Sequence, residues 1–113
     1  MSPGQRDDYV LRQVRAIAAI LARIIGLRLD GEPEQARAGL EEAYTMLLGS
    51  QAPLIRRVDT STAAKLIGSS EKTLSFAGLI EEEAEQEKDE GRSALLRARA
   101  ADLRLQVEQK EPR

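Results

Sequence analysis

The chain opens on apolar residues that recur with the period of an α-helix. Between Tyr9 and Leu29 they fall every three or four positions, which places them on one face of a helix. One row consists of Val10, Val14, Ile17, Leu21 and Ile24, and a second row beside it consists of Leu11, Ala18 and Ile25. We predict a long first helix with Asp7 and Asp8 at its start, where acidic residues favour the helix dipole.

Ile20 and Leu27 lie on the other flank of this stripe, so that apolar residues cover roughly half of the helix surface. A helix with so wide an apolar arc usually contacts more than one neighbour. We therefore expect the first helix to be central to the fold or to lie at a subunit interface. Ile20 and Leu27 are the candidate interface residues.

Glycine and proline residues divide the following sequence. Gly31 is typical of the residue after a helix and Pro33 of a first turn, and Gly49 is expected to end the second helix after Leu48. The loop between the two predicted helices is short, which favours an antiparallel pair. Residues 6–49 are thus predicted to form a helical hairpin.

The second half of the chain is predicted to contain short helices over residues 52–68 and a second hairpin over residues 69–109. In this hairpin one helix runs to about Glu90, Gly91 stops it, and the last helix runs from about Arg92 to Gln109. Residues 110–113 are expected to fray. The predicted fold is all-α, a single domain over residues 1–113, with four main helices and one or two short ones.

Composition supports this fold and argues against catalysis. A chain of 113 residues builds one core, and its aromatic content of 3% disfavours a β-sandwich. The chain has no histidine and no cysteine, and so lacks the commonest general base and the strongest zinc ligands. We expect a protein that is not an enzyme and that needs no cofactor or metal.

Charge and hydropathy limit which partners and which cellular location we expect for the protein. The net charge is −2, whereas a nucleic-acid-binding domain is usually clearly basic, so we expect no nucleic-acid partner. Arg15 and Arg23 interrupt the longest apolar stretch, and the N-terminus lacks the basic-then-apolar pattern of a signal peptide. The expectation is a cytoplasmic protein without a membrane span.

An acidic run, "EEEAEQEKDEG", occupies residues 81–91 and holds seven acids. On a helix most of them face solvent, but Glu83 and Glu87 fall on the same side as Phe76, within the apolar stripe. A buried carboxylate requires a partner. We hypothesise that Glu83 and Glu87 pair with arginines that border the apolar rows of other helices, namely Arg28, Arg97 and Arg104. In the alternative, the stripe ends after Ala84 and both acids are solvated.

The first hairpin resembles a tetratricopeptide repeat over residues 17–50. Gly31 stands at the turn, with Ala36 and Ala43 where the two helices touch and Leu40 between them. Arg23 stands where leucine is usual, and no proline closes the repeat. A similar spacing around Gly91 is weaker, because leucines replace both expected alanines.

The chain as a whole resembles a family of small bacterial all-helical proteins of unknown function. The resemblance rests on "DYVLRQVRAIAAILARIIGL", "EPEQARAGLEEAYTMLLG" and "LIEEEAEQEKDEGRSALLRARA". It implies tetratricopeptide-like helical hairpins, and it transfers no catalytic or binding residue.

Two functions remain as expectations. The first is a non-catalytic protein–protein interaction module whose partner is another protein or a second copy of the chain, as in a homodimer; helical hairpins offer surfaces suited to this. The alternative is a helical bundle that binds a small ligand or a lipid in an apolar pocket between the hairpins.

Overall fold

A computed structural model describes residues 3–110, with side chains described from residue 8 onward. This part of the chain is all-α, with four long helices and two short ones, as predicted. The helices are α1 (Pro3–Leu29), α2 (Pro33–Leu48), α3 (Ala52–Ile55), α4 (Thr60–Ile67), α5 (Ser70–Gln86) and α6 (Glu90–Lys110), and a 3₁₀ turn, Gly49–Gln51, precedes α3.

The short helix α4 and the start of α5 follow from local chemistry. Asp59 accepts a hydrogen bond from the backbone N–H of Thr62 at 3.1 Å and caps α4. Gly68 ends α4 in the left-handed conformation, at φ 77°. Ser69 accepts a hydrogen bond from the backbone N–H of Lys72 at 3.2 Å and caps α5. Asp59 and Ser69 thus set the starts of α4 and α5, and Gly68 sets the end of α4.

The start of the first helix differs from the prediction. Helix α1 spans Pro3–Leu29 in the described part of the chain, so that Asp7 and Asp8 lie inside the helix instead of at its N-terminus.

The connection between α5 and α6 also differs. Helix α5 ends at Gln86, and Glu87 is extended, with φ −76° and ψ 125°. Asp89 accepts a hydrogen bond from the backbone N–H of Arg92 at 2.8 Å, which starts the next helix. Gly91 therefore lies in the first turn of α6 and does not stop α5, because the capping carboxylate two residues earlier fixes the start of the helix.

Helices α1 and α2 form an antiparallel pair. The side chain of Gln13 donates to the backbone carbonyl of Met46 at 3.2 Å, near one end of the pair. Towards the other end Ile24 packs against Gly39, where an added Cβ would lie only 3.1 Å from Ile24 Cγ1. The missing side chain at Gly39 lets the two helices approach closely.

Helix α5, and not α1, is the central helix of the described part of the chain. It packs against α1, α2, α4 and α6, whereas α1 packs mainly on α2 and α5. Of the two expectations for the first helix, a central position or a subunit interface, the central position was wrong, because α5 buries residues on several sides, including one glutamate. Its buried residues are Thr73, Phe76, Ala77, Leu79, Ile80, Glu82 and Ala84.

The core joins the two halves of the chain. Tyr44 of α2 and Phe76 of α5 meet edge to face, with ring centroids 6.0 Å apart and planes at 73°. Ile17 and Leu103 extend the same buried cluster into α1 and α6. Along this cluster α5 runs antiparallel to α2, since Tyr44 contacts Glu83 and Phe76 while the Gln86 side chain donates to the carbonyl of Ala36.

Candidate functional site

A buried ion pair joins the end of α1 to α5. Arg28 donates from Nε to Glu82 Oε2 at 2.8 Å and from Nη2 to Glu82 Oε1 at 3.0 Å. The Glu82 side chain is only 3% exposed, and Gln86 donates a further hydrogen bond to it at 3.1 Å. The hydrogen bond with Glu82 raises the pKa of Arg28 and outweighs the opposing effect of burial. Glu82 is therefore a buried carboxylate whose oxygens are satisfied.

The arginines predicted to pair with Glu83 and Glu87 contact other acids of the run. Arg28 pairs with Glu82, and its Nη1 lies 3.9 Å from an oxygen of Glu85. Arg97 pairs with Glu85 at 2.9 Å, and Arg104 pairs with Glu81 at 2.8 Å. Three arginines and three glutamates thus form a row of ion pairs along one side of α5, called here the ion-pair ladder: Arg28, Arg97, Arg104, Glu81, Glu82 and Glu85.

Glu87 is not paired with an arginine among the described residues. Because α5 ends at Gln86, Glu87 lies beyond the helix, and its carboxylate accepts a hydrogen bond from the backbone N–H of Asp89 at 3.1 Å. The helical projection that placed Glu87 on the apolar stripe assumed a helix that continues to Glu90.

Glu83 does have an arginine partner, although not one of those predicted. It is half-buried, accepts a hydrogen bond from the Tyr44 hydroxyl at 2.6 Å, and lies 3.4 Å from Arg56 Nη2. Arg56 directly follows the four-residue helix α3, in a segment too short to show a helical period. Its sequence position therefore gave no signal that it would reach Glu83.

Ile20 and Leu27, the candidate interface residues, are half-buried and pack against the core cluster. Much of their apolar surface is therefore already buried within the protein. The less covered flank of α1 is the opposite one. There Leu11 is 39% exposed, and Ile25 is half-buried without being part of the packing against the core cluster.

This flank of α1 borders an open groove, called here the α1–α6 groove, of about 630 Å³. Helices α1 and α6 both pack on α5 but hardly on each other, so that α5 forms the floor. Gly78 lies on that floor, and Leu74, which is 38% exposed, lies one turn before it in α5. The lining residues are Leu21, Ile25, Arg28, Gly78, Glu81, Glu82, Glu85, Arg97, Ala101 and Arg104.

The charges around the α1–α6 groove balance. Its lining holds three arginines and three glutamates, and each belongs to the ion-pair ladder. The hydrogen bond from Arg97 lowers the pKa of Glu85, and the hydrogen bond to Glu81 raises the pKa of Arg104. Between these pairs Leu21, Ile25 and Ala101 give an apolar strip. Such a surface suits another apolar surface and offers no free acid or base for proton transfer.

A second concavity, called here the arginine pocket, opens near α3 and has a volume of about 330 Å³. Arg56 lies over the ring of Tyr44, 3.9 Å from its centroid, and donates to both oxygens of Glu41 at 2.7 and 3.1 Å. Burial, and then the charge of Glu83, raise the pKa of Tyr44 far above its usual range. Burial alone would lower the pKa of Arg56, but its acidic neighbours raise it overall. The lining residues are Tyr44, Pro53, Arg56, Arg57, Phe76, Ile80, Glu83, Leu96 and Arg99.

Neither concavity contains a set of metal ligands. Among the residues that the structure describes, no three histidine, cysteine, aspartate or glutamate residues group closely enough to hold a metal ion. In the same part of the chain, no helix combines the length and the apolar character needed to cross a bilayer.

Comparisons of this chain with protein-family models, with curated proteins and with solved structures give no match. The described part of the chain is all-helical, but no identified relative supports the resemblance to a bacterial family.

Proposed function

We propose that the chain is a non-catalytic protein-interaction module that self-associates through the α1–α6 groove. One observation carries this proposal: Ile25 lines an open groove beside Leu21, and unlike Leu21 it does not pack against the core cluster of the described residues. Apolar side chains grouped along a groove between helices are a common feature of helix-binding surfaces.

Gly78 on the groove floor supports close approach of a partner. A glycine within a helix is about 1 kcal/mol less favourable than alanine. At Gly39 the tight contact with Ile24 accounts for the glycine, but at Gly78 an added Cβ would meet only Leu21 Cδ2, at an ordinary 3.5 Å. The fold does not need a glycine at position 78, whereas a helix that lies across a flat floor benefits from one.

The charge balance favours a second copy as the partner. A strongly acidic or basic partner would find the charges of the ladder already paired within the chain. A second copy presents the same balanced rim and the same apolar strip. Two copies related by a twofold axis would each place α1 against the groove of the other, which forms a closed dimer.

The arrangement of the helices is compatible with a tetratricopeptide-like fold. Leu21 meets Gly78 and Arg28 meets Glu82, so that α5 runs parallel to α1 while it is antiparallel to α2. A third helix packed in this way on a hairpin resembles the start of a second repeat. Repeats of this kind present grooves to protein partners, which fits the proposed function.

A helical bundle that encloses an apolar ligand between the hairpins has less support. Where the two halves of the chain meet, Tyr44 and Phe76 are almost fully buried and pack directly against each other. Both concavities described above are open to solvent and rimmed with charged side chains.

Sedimentation velocity over a range of protein concentrations tests the proposal. We expect the wild type to form a dimer and Ile25→Asp to be a folded monomer, because an aspartate in the apolar strip would be buried without a partner. Ala19→Asp is the matched control, since Ala19 is exposed on the opposite side of α1. If Ile25→Asp keeps its helical circular dichroism and associates as the wild type does, the proposed interface is wrong.

Aspartate substitutions at the interface candidates from the sequence, Ile20 and Leu27, should give a different result. Ile20 and Leu27 pack against the core cluster, so aspartate at either position should lower the free energy of unfolding. A monomer produced in that way would not identify the interface. Ile25 and Gly78 are therefore the positions at which association and folding can be separated.

A further inference from the structure

The arginine pocket holds two guanidinium groups that no carboxylate neutralises by direct contact. Arg57 donates from Nε to the carbonyl of Pro53 at 3.1 Å, and Arg99 donates from Nη2 to the carbonyl of Ile55 at 2.9 Å. Within residues 8–110 neither arginine forms an ion pair. Backbone carbonyls near α3 thus position the two guanidinium groups at the pocket. Each guanidinium keeps further N–H groups that can donate to a ligand.

The third arginine of the pocket, Arg56, is already paired with glutamates of the chain. Arg56 donates to Glu41 and lies close to Glu83, and Glu83 also accepts a hydrogen bond from Tyr44. The lining holds three arginines and one glutamate, a net charge of 3 − 1 = +2, and Glu41, which pairs with Arg56 from outside the lining, reduces the local charge to 2 − 1 = +1, whereas the whole chain carries −2. The pocket is a local site of positive charge.

The floor of the pocket is apolar. Phe76 is fully buried, and the guanidinium carbon of Arg99 lies 5.9 Å from the centroid of its ring. Ile80 and Leu96 extend this floor, and Pro53 lies at the rim beside Arg57. Solvent reaches Leu96 and Pro53 but hardly reaches Phe76 and Ile80. Guanidinium groups beside these accessible aliphatic side chains match a ligand that has one anionic group and one apolar group.

We propose that the arginine pocket binds a small amphiphilic oxyanion, a carboxylate or a phosphate monoester carried by a compact apolar group. The anionic oxygens accept hydrogen bonds from Arg57 and Arg99, and the apolar group packs on Leu96 and Pro53, the apolar lining side chains that solvent reaches. A volume of about 330 Å³ is at the lower end of the range for small-molecule sites. This site shares no lining residue with the α1–α6 groove, so it does not depend on self-association.

Isothermal titration calorimetry with three probes tests the proposal: 3-phenylpropionate, phenyl phosphate and the neutral 3-phenylpropanamide. We expect at least one acid to bind about tenfold or more tightly than the amide, because only an anion is attracted to the guanidinium groups. The acid that binds more tightly identifies the anionic group. An amide that binds as well as both acids, or the absence of binding by both acids at millimolar concentration, would overturn the proposal.

Arginine variants locate the site. Arg57→Gln, at an exposed residue, should weaken binding of the preferred acid about tenfold while the far-ultraviolet circular dichroism is unchanged. Arg104→Gln is the control, because it removes an arginine of the α1–α6 groove instead. If Arg57→Gln binds the acid as tightly as the wild type does, or if Arg104→Gln loses binding to the same extent, the assigned pocket is wrong.

Discussion

Arg28 and Glu82 stand 54 residues apart in the sequence and are joined by two hydrogen bonds of 2.8 and 3.0 Å. The pair fastens the last turn of α1 to the central helix α5. Because Glu82 is nearly inaccessible to water, Arg28 and Gln86 supply the hydrogen bonds that water would otherwise give its carboxylate. This contact links the two halves of the chain beside the α1–α6 groove.

Removal of Arg28 should be strongly destabilising. Arg28→Met leaves the Glu82 carboxylate buried without its cation, and we expect a loss of about 2–4 kcal/mol in the free energy of unfolding, measured with urea. Arg104→Met is the control, since its partner Glu81 is about half exposed and such pairs contribute about 1 kcal/mol or less. The double variant Arg28→Met with Glu82→Met should lose less than the sum of the two single variants. Equal losses for Arg28→Met and Arg104→Met would contradict this account.

Tyr44 should make the protein less stable at high pH. Burial and Glu83 raise the pKa of Tyr44 above its ordinary value of 10.0, so the neutral phenol is favoured in the folded state. The contribution is complete below pH 10 and decreases above it, because the unfolded phenol ionises while the folded one does not. Above pH 10 the free energy of unfolding should fall by up to about 1.4 kcal/mol per pH unit.

Urea unfolding of wild type and Tyr44→Phe from about pH 8 to about pH 11 measures this effect. At neutral pH the variant should be about 1.5–3 kcal/mol less stable, since a hydrogen bond to a charged group is lost. The difference between the two proteins should shrink above pH 10. A difference that stays constant over the whole range would show that Tyr44 is not the group responsible.

Asp59 should contribute to acid sensitivity. Hydrogen bonds from the hydroxyl and then from the backbone N–H of Thr62 lower its pKa below the ordinary value of 3.8. A lowered pKa means that the stabilisation is complete above pH 3.8 and is lost as the pH falls through the lower, folded value. Compared with Asp59→Asn, which keeps a capping oxygen, the wild type should lose its relative stability only in this acidic window. Urea unfolding of both proteins at several pH values measures it, and a difference independent of pH would exclude this role.

Two glycines in helices should respond in opposite directions to alanine. At Gly26 nothing lies within 4 Å of an added Cβ, so Gly26→Ala should raise the free energy of unfolding by about 0.5–1 kcal/mol. At Gly39 the new Cβ would lie 3.1 Å from Cγ1 of the buried Ile24, and we expect a net loss of about 1 kcal/mol. Thermal or urea unfolding distinguishes the two, and a Gly39→Ala variant as stable as Gly26→Ala would show that α1 and α2 can move apart freely.

The parts of the fold that depend on local chemistry were predictable. A capping side chain at Asp59 or Ser69 and a left-handed glycine at Gly68 act within one turn, and the apolar period of α1 reports a helix directly. The end of α5 was missed because two local signals compete: Asp89 caps a new helix two residues before the glycine that was expected to stop the old one.

The candidate site was less accessible from the sequence, because it depends on contacts between distant residues. A glutamate at position 82 projects away from the Phe76 stripe and is expected to face water unless Arg28 is known to lie beside it. Arg56 follows a single helical turn, and no periodicity indicates which residues it reaches. The sequence also does not show that Ile20 and Leu27 pack against the core cluster while Ile25 does not, since a helix with a wide apolar arc does not reveal which flank its neighbours cover.

The most direct test of the α1–α6 groove as a self-association surface is sedimentation equilibrium of the wild type, Gly78→Leu and Gly26→Leu. Both substitutions replace a glycine within a helix, and neither Cβ meets a tight contact, so both variants should be at least as stable as the wild type. Leucine at position 78 fills the groove floor, whereas position 26 lies outside the groove lining. We predict a dimeric wild type, a dimeric Gly26→Leu and a folded, monomeric Gly78→Leu; a monomeric wild type, or a Gly78→Leu protein that dimerises as the wild type does, would contradict the account.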